Sequence, residues 1–230
     1  MIVSGLFRAV AQLGEPIFRR VLVRSLALTL AVVVVLSVVL IGWLLPLLLG
    51  DATGWWWQAL LGLSQAGVLV GSWFLFPAVA SAVIGLFLDD IAEVVERRHY
   101  PSQTPGRPLP NGAALIQGLR FASLVLLINL VALPFYIAAM FFAGAGFVLA
   151  LVINGYLFSR EYFELVALRH MDAPAAKALR RRHRGQVMGV GMAIAAGFAV
   201  PLANLFVPIL ATAWMVHVFK ALKAESKAVS

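Results

Sequence analysis

Two long stretches, Phe121–Ser159 and Gly185–Phe219, contain no Asp, Glu, Lys or Arg. An α-helix rises about 1.5 Å per residue and a bilayer core is about 30 Å thick, so one crossing takes roughly 20 residues. Each stretch is generous for one crossing and short for two crossings plus a turn. Each is also interrupted by a similar phrase, Asn129-Leu130-Val131-Ala132-Leu133-Pro134 in the first and Asn204-Leu205-Phe206-Val207-Pro208 in the second. Proline costs about 3 kcal/mol inside a helix and pushes the preceding residue out of the α region. Asn129, Pro134, Asn204 and Pro208 are therefore the expected breaks, and candidates for lining a polar route.

Charge separates a single crossing from a reversal. Arg120 precedes the first stretch, and Arg160, Arg169, Lys177 and Arg180–Arg182 follow it. The same cluster precedes the second stretch, which Lys220, Lys223 and Lys227 follow. Lys and Arg collect on the cytoplasmic side, so both ends of each stretch belong there. A segment that returns to its own side is a hairpin. One too short for two full crossings penetrates partway, surrounded by other protein.

The expected fold is thus an all-α integral membrane protein with two long transmembrane helices and two helical hairpins entering from the cytoplasm. Composition agrees, with 62% hydrophobic and 12% charged residues against about 45–50% and 25% in soluble domains. The net charge of +8 reads as positive-inside bias and attraction to anionic lipid rather than as a nucleic-acid surface. With no cysteine, disulfides, thiolate catalysis and cysteine-ligated metals are excluded.

In chain order, the reading is one membrane domain over 1–230. Residues 1–24 form a cytoplasmic interfacial helix and an arginine motif, with Ile2, Val3, Leu6, Phe7, Val10 and Leu13 at helical spacing. The first span, 25–50, is an uncleaved anchor. Trp55-Trp56-Trp57 marks the far interface beside Asp51, in a connector without Lys or Arg. A second span with a cytoplasmic extension covers 55–99, kinked or tilted near Pro77. A Pro/Gly loop follows over Tyr100–Asn111. Then come the first hairpin (121–159), a basic cytoplasmic segment (160–184), the second hairpin (185–219) and a tail (220–230). All eighteen Lys and Arg residues are then cytoplasmic, as are both termini.

Chemistry-bearing residues are few. His99, His170, His183 and His217 have no zincin-type partner, and His217 reads as an interfacial or helix-end residue. Asp89, Asp90, Glu93 and Glu96 lie at helical spacing with Arg97 and Arg98, as in a solvated helix end. Gly144, Gly146, Gly185, Gly189 and Gly191 sit in apolar contexts that point to close helix packing. No enzyme motif, metal site or cofactor site emerges. Arg19 and Arg20 stand out, because they follow Pro16 within the first turn or so of a helix whose N-terminus is already partly positive. They either anchor the first span by snorkelling or hold a tetrahedral oxyanion with guanidinium and backbone donors. The run Lys177–Arg184 faces the same alternatives.

The start Gly14-Glu15-Pro16-Ile17-Phe18-Arg19-Arg20 resembles the opening of the bacterial CysZ sulfate permease family, whose domain is shared with etoposide-induced-protein-like membrane proteins. Phe76-Pro77-Ala78 running into Asp89–Glu96 is similar to the family's second span, and Asn204–Pro208 to its late hairpin. The family more typically begins Pro-Gly-Leu-Arg-Arg. The resemblance implies two long spans, two partly penetrating hairpins, homo-oligomers in the bacterial inner membrane, and inward movement of sulfate for cysteine synthesis. It also implies that Arg19 and Arg20 bind sulfate or a related oxyanion. The alternative is a non-transporting scaffold or anionic-lipid-interacting protein, based on the basic run and the sparse intramembrane polar groups.

Overall fold

The computed structural model describes residues 2–12, 14, 16–44, 47, 54–85, 87–139, 141–142, 144–200 and 203–228. Most of those residues are helical, with no strand among them, as the sequence led one to expect. They form two compact units, Gly14–Phe87 and, separately, Met1–Leu13 with Leu88–Ser230.

The smaller unit is a pair of long helices, α2 (Pro16–Val39, continued by a π-helical turn Leu40–Leu44) and α3 (Trp55–Gly85), packed on each other. Pro16 opens α2, where its missing N–H is no loss. Phe18, Val21, Ser25 and Thr29 are buried along one stripe of α2, while Val23, Leu28, Leu30 and Val34 are exposed. The stripe tolerates hydroxyls because each turns onto its own helix. Ser25 Oγ donates to Val21 O (2.8 Å) and Thr29 Oγ1 to Ser25 O (2.7 Å), which satisfies polar groups that lipid cannot. Trp56 stacks on Trp57 at 4.3 Å. Asp51 lies outside the described residues, as do Glu15 and the side chain of Pro77.

The larger unit contains α1 (Ile2–Gln12), α4 (Leu88–His99), α5 (Asn111–Ala139), α6 (Ala145–Ala167), α7 (Ala173–Arg182), α8 (Arg184–Phe198) and α9 (Val207–Ala228). Its core is α9, which touches α1, α4, α6, α7 and α8. Two described helices are long and apolar enough to cross a bilayer, Phe18–Leu44 and Val207–Ser226. Only 17% of the first is buried in protein, against 78% of the second. The former presents its apolar surface outward, whereas the latter is enclosed by its neighbours.

Both hairpins are present, and their reversals differ. The second turns where the Asn-Leu-Phe-Val-Pro phrase lies. A 3₁₀ turn covers Ala203–Leu205, and Pro208 falls in the first turn of α9, the position it favours. The side chain of Asn204 lies outside the described residues. At 15 residues, α8 is roughly 22 Å long, too short for a full crossing.

The first hairpin departs from expectation. Pro134 lies inside α5, which continues to Ala139, and the chain reverses at Phe141–Gly144 instead. Continuing the helix forfeits one hydrogen bond, whereas ending it among apolar residues would strand several backbone groups. Gly144 makes the turn with φ 79°, a left-handed conformation suited to glycine. Asn129 is half-buried in α5 and donates to its own helix at Val125 O (2.9 Å).

The second span and its charged continuation are separate helices. Phe87 N–H donates to Ile84 O in a turn between α3 and α4. The packing expected of the glycines holds for Gly191. A Cβ there would lie 2.2 Å from Gly155 O and 2.5 Å from Ser159 Cβ, so α6 and α8 meet at backbone distance. Gly185 and Gly189 have nothing within 4 Å of such a Cβ.

Candidate functional site: a buried charge network

Helix α4 buries Leu88, Ile91, Ala92, Val95 and Glu96. These residues recur at i, i+3, i+4, i+7 and i+8, which is one helical face. Glu96 thus sits in line with the apolar stripe. Glu93 lies on a more open face and pairs with Arg97 at 2.5 Å. The solvated helix end expected from the sequence is therefore correct for Glu93 and Arg97 and wrong for Glu96, which is 2% exposed.

An ionised carboxylate so placed needs donors and counter-charges. Glu96 Oε2 accepts from Gly106 N–H at 2.8 Å. Its Oε1 pairs with His170 Nε2 and lies 3.6 Å from Lys220 Nζ. Arg169 Nη2 stands 3.9 Å from Oε2. Burial on its own pushes the Glu96 pKa up, but the His170 and Gly106 hydrogen bonds and the charges of His170 and Lys220 outweigh it and hold the pKa at about 2. Because an ionised carboxylate only accepts, His170 carries its proton on Nε2.

Arg169 follows α6 in the turn Leu168–Met171. Its Nη1 donates to Asp89 Oδ1 at 2.7 Å and its Nη2 to Gly106 O at 3.3 Å, while its carbonyl accepts from Arg107 N–H at 2.9 Å. The guanidinium is buried, and its Nε has no hydrogen-bond partner among the described residues. The Tyr100–Asn111 loop wraps Arg169 closely enough that a Cβ on Gly106 would fall 2.7 Å from Arg169 Cβ. Glycine is needed here for close approach.

A second polar cluster adjoins the first. Lys220 Nζ lies 5.6 Å from the Tyr100 ring centroid. Gln12 Nε2 donates to His99 Nε2 (2.7 Å) and His217 Nε2 (3.1 Å). His217 then bears its proton on Nδ1, which donates to Tyr100 Oη at 2.9 Å. Burial raises the Tyr100 pKa above the ordinary phenol range, and the nearby Arg8 charge opposes that rise. His217 is thus a buried junction rather than the interfacial residue its sequence position implied. Helix α1 supplies Gln12 by burying Gly5, Ala9 and Gln12 at i, i+4 and i+7. It leaves Phe7 70% exposed. The helix expected at 1–13 forms, and its small-residue face packs on α9.

Arg19 and Arg20 are both exposed on α2. Pro16 is the first helical residue, so the N–H groups of Ile17 and Phe18 precede the first intrahelical hydrogen bond. Phe18 and Val21 bury the opposite side. Neither arginine forms a salt bridge among the described residues. The structure brings this pair together on one turn. It leaves Asn129 and Pro134 on α5, and puts Pro208 at the start of α9.

The family model described as "Sulfate transporter CysZ/Etoposide-induced protein 2.4" matches residues 5–208, most of the chain. The protein belongs to this family. No curated protein matches the sequence significantly. Family membership marks the chain as a membrane protein of a transporter class. It also spans both structural units and covers the exposed arginine pair together with Glu96, Gly106, Arg169 and His170, whereas His217 and Lys220 lie beyond the matched region.

Proposed function

We propose that the chain is a permease of the bacterial inner membrane for sulfate or a related oxyanion, supplying sulfate for assimilation into cysteine. The observation that carries this reading is the Arg19–Arg20 pair. Two adjacent guanidinium groups stand exposed, without salt bridges among the described residues, on the opening turns of α2. Helix N-termini favour anions, and guanidinium forks match tetrahedral oxyanions.

In this account Arg19 and Arg20 capture the anion, and the buried network is a fixed structural element of the larger unit. There the positive charges of Arg169 and Lys220 are matched by the carboxylates of Glu96 and Asp89. Both termini are cytoplasmic, as the Lys and Arg distribution requires. The protein works as a homo-oligomer among membrane lipids and is not an enzyme.

Calorimetry with sulfate on purified protein tests the site. The native chain should bind, and the Arg19→Ala/Arg20→Ala variant should lose the binding that this pair contributes, with unfolding behaviour unchanged. Equal binding by both proteins would remove the pair from the mechanism.

A further inference from the structure

A second cationic place lies in the larger unit, where the end of α7 meets the start of α8. It is a cavity of about 390 Å³ lined by Arg180, Arg181 and Arg184, with Gly185 in its wall, within the size range of small-ligand sites. Tyr156, Ser159, Val187 and Met188 line the rest, so the lining combines three arginines with largely apolar side chains.

Three observations point to an anionic occupant. The charges are poorly compensated. Arg180 lies 3.9 Å from Glu164, but Glu164 is already held by Arg160 at 2.9 Å. Arg181 and Arg184 are exposed and form no salt bridge among the described residues. Second, the Nε of Arg180 has no hydrogen-bond partner among the described residues, so this guanidinium is not fully satisfied by the protein. Third, α8 begins at Arg184 without a side-chain cap, so its first N–H groups add donors and partial positive charge. A Cβ on Gly185 would meet nothing within 4 Å, so the backbone here is open to approach.

We infer that this cavity binds a tetrahedral oxyanion, either free or as the phosphate ester of a lipid headgroup. Arg180, Arg181 and Arg184 hold the oxygens, and Tyr156, Val187 and Met188 accept the apolar part of a lipid. The site is separate in sequence from Arg19 and Arg20 and does not depend on the permease reading.

The test uses the full chain in detergent and the variant Arg181→Gln/Arg184→Gln, chosen because both side chains are exposed and form no salt bridge among the described residues. Native mass spectrometry would follow retention of phosphatidylglycerol against phosphatidylcholine, and calorimetry would follow sodium sulfate and sodium phosphate. The Arg19→Ala/Arg20→Ala protein is the control. A loss of at least about tenfold in phosphatidylglycerol affinity in the Gln variant alone assigns the lipid ester. A similar loss for free sulfate or phosphate, distinct from any loss in the control, assigns the free ion. Unchanged affinity for every probe in the Gln variant overturns the inference. Uptake measured on the same variants separates this result from the permease question, since failure of either leaves the other standing.

Discussion

Arg19 and Arg20 on one side, and Arg169 and Lys220 on the other, are cations placed in opposite ways. The first pair is exposed on a single helix turn and lacks salt bridges among the described residues. The second pair is buried, at 5% and 6% exposure, and is held around Glu96. Exposed cations keep their hydration, cost the fold little and remain available to a ligand. Buried cations have lost that hydration and depend on fixed partners. The difference divides binding from architecture: the first pair can be removed with the fold intact, and the second cannot lose its counter-charge.

The strongest way to break this division is Glu96→Ala. It leaves Arg169, Lys220 and His170 without their shared carboxylate, and should destabilise the protein by about 3–5 kcal/mol, read as a lowered denaturation midpoint in detergent. A loss below about 1 kcal/mol would mean that water already reaches the network. Glu96→Gln should cost less, because the amide retains the acceptor for Gly106.

Packing offers the next contrast. Gly191→Ala places a methyl 2.2 Å from Gly155 O and should cost about 1–3 kcal/mol or more by forcing α6 from α8. Gly189→Ala, two residues away in open space, should be neutral or stabilising by up to about 1 kcal/mol. Equal effects at the two positions would contradict the close approach.

Acid sharpens the comparison further. Glu96 has a folded pKa of about 2 against an ordinary value of 4.5. Its contribution to stability is therefore fully present above pH 4.5 and is lost as pH falls toward 2. Thermal unfolding followed from pH 7 to pH 3 should show a decline below about pH 5 that is reduced in Glu96→Gln. A slope identical in both proteins would place the acid sensitivity elsewhere.

The smallest stability effect belongs to the exposed pair. Arg19→Ala/Arg20→Ala should shift stability by no more than about 0.5 kcal/mol while the sulfate binding that this pair contributes disappears.

Much of the fold was legible in the sequence because lipid imposes simple rules. Uncharged length gave the helices and hairpins, and Pro208 with its neighbours marked the second reversal. Pro134 misled because backbone satisfaction in an apolar setting outweighs one missing N–H, so the turn waited for a residue able to take φ 79°. The arginine pair was visible as charge at a helix start. The buried network was not, since Gly106, Arg169, His170 and Lys220 come from separate segments and converge only through packing. One signal was available: Glu96 shares the apolar face of Leu88, Ile91, Ala92 and Val95. Reading the acids of α4 together as one solvated end concealed it. Gln12 was missed for the same reason, because it lies on the small-residue face of α1 with Gly5 and Ala9.

The most direct test of the central claim is labelled sulfate uptake into liposomes containing the native protein or the Arg19→Ala/Arg20→Ala variant, beside empty liposomes. The account predicts uptake above the empty control for the native protein and its loss in a variant that remains folded and inserted. Uptake by the native protein no greater than that of empty liposomes, from protein shown to be correctly inserted, would contradict it.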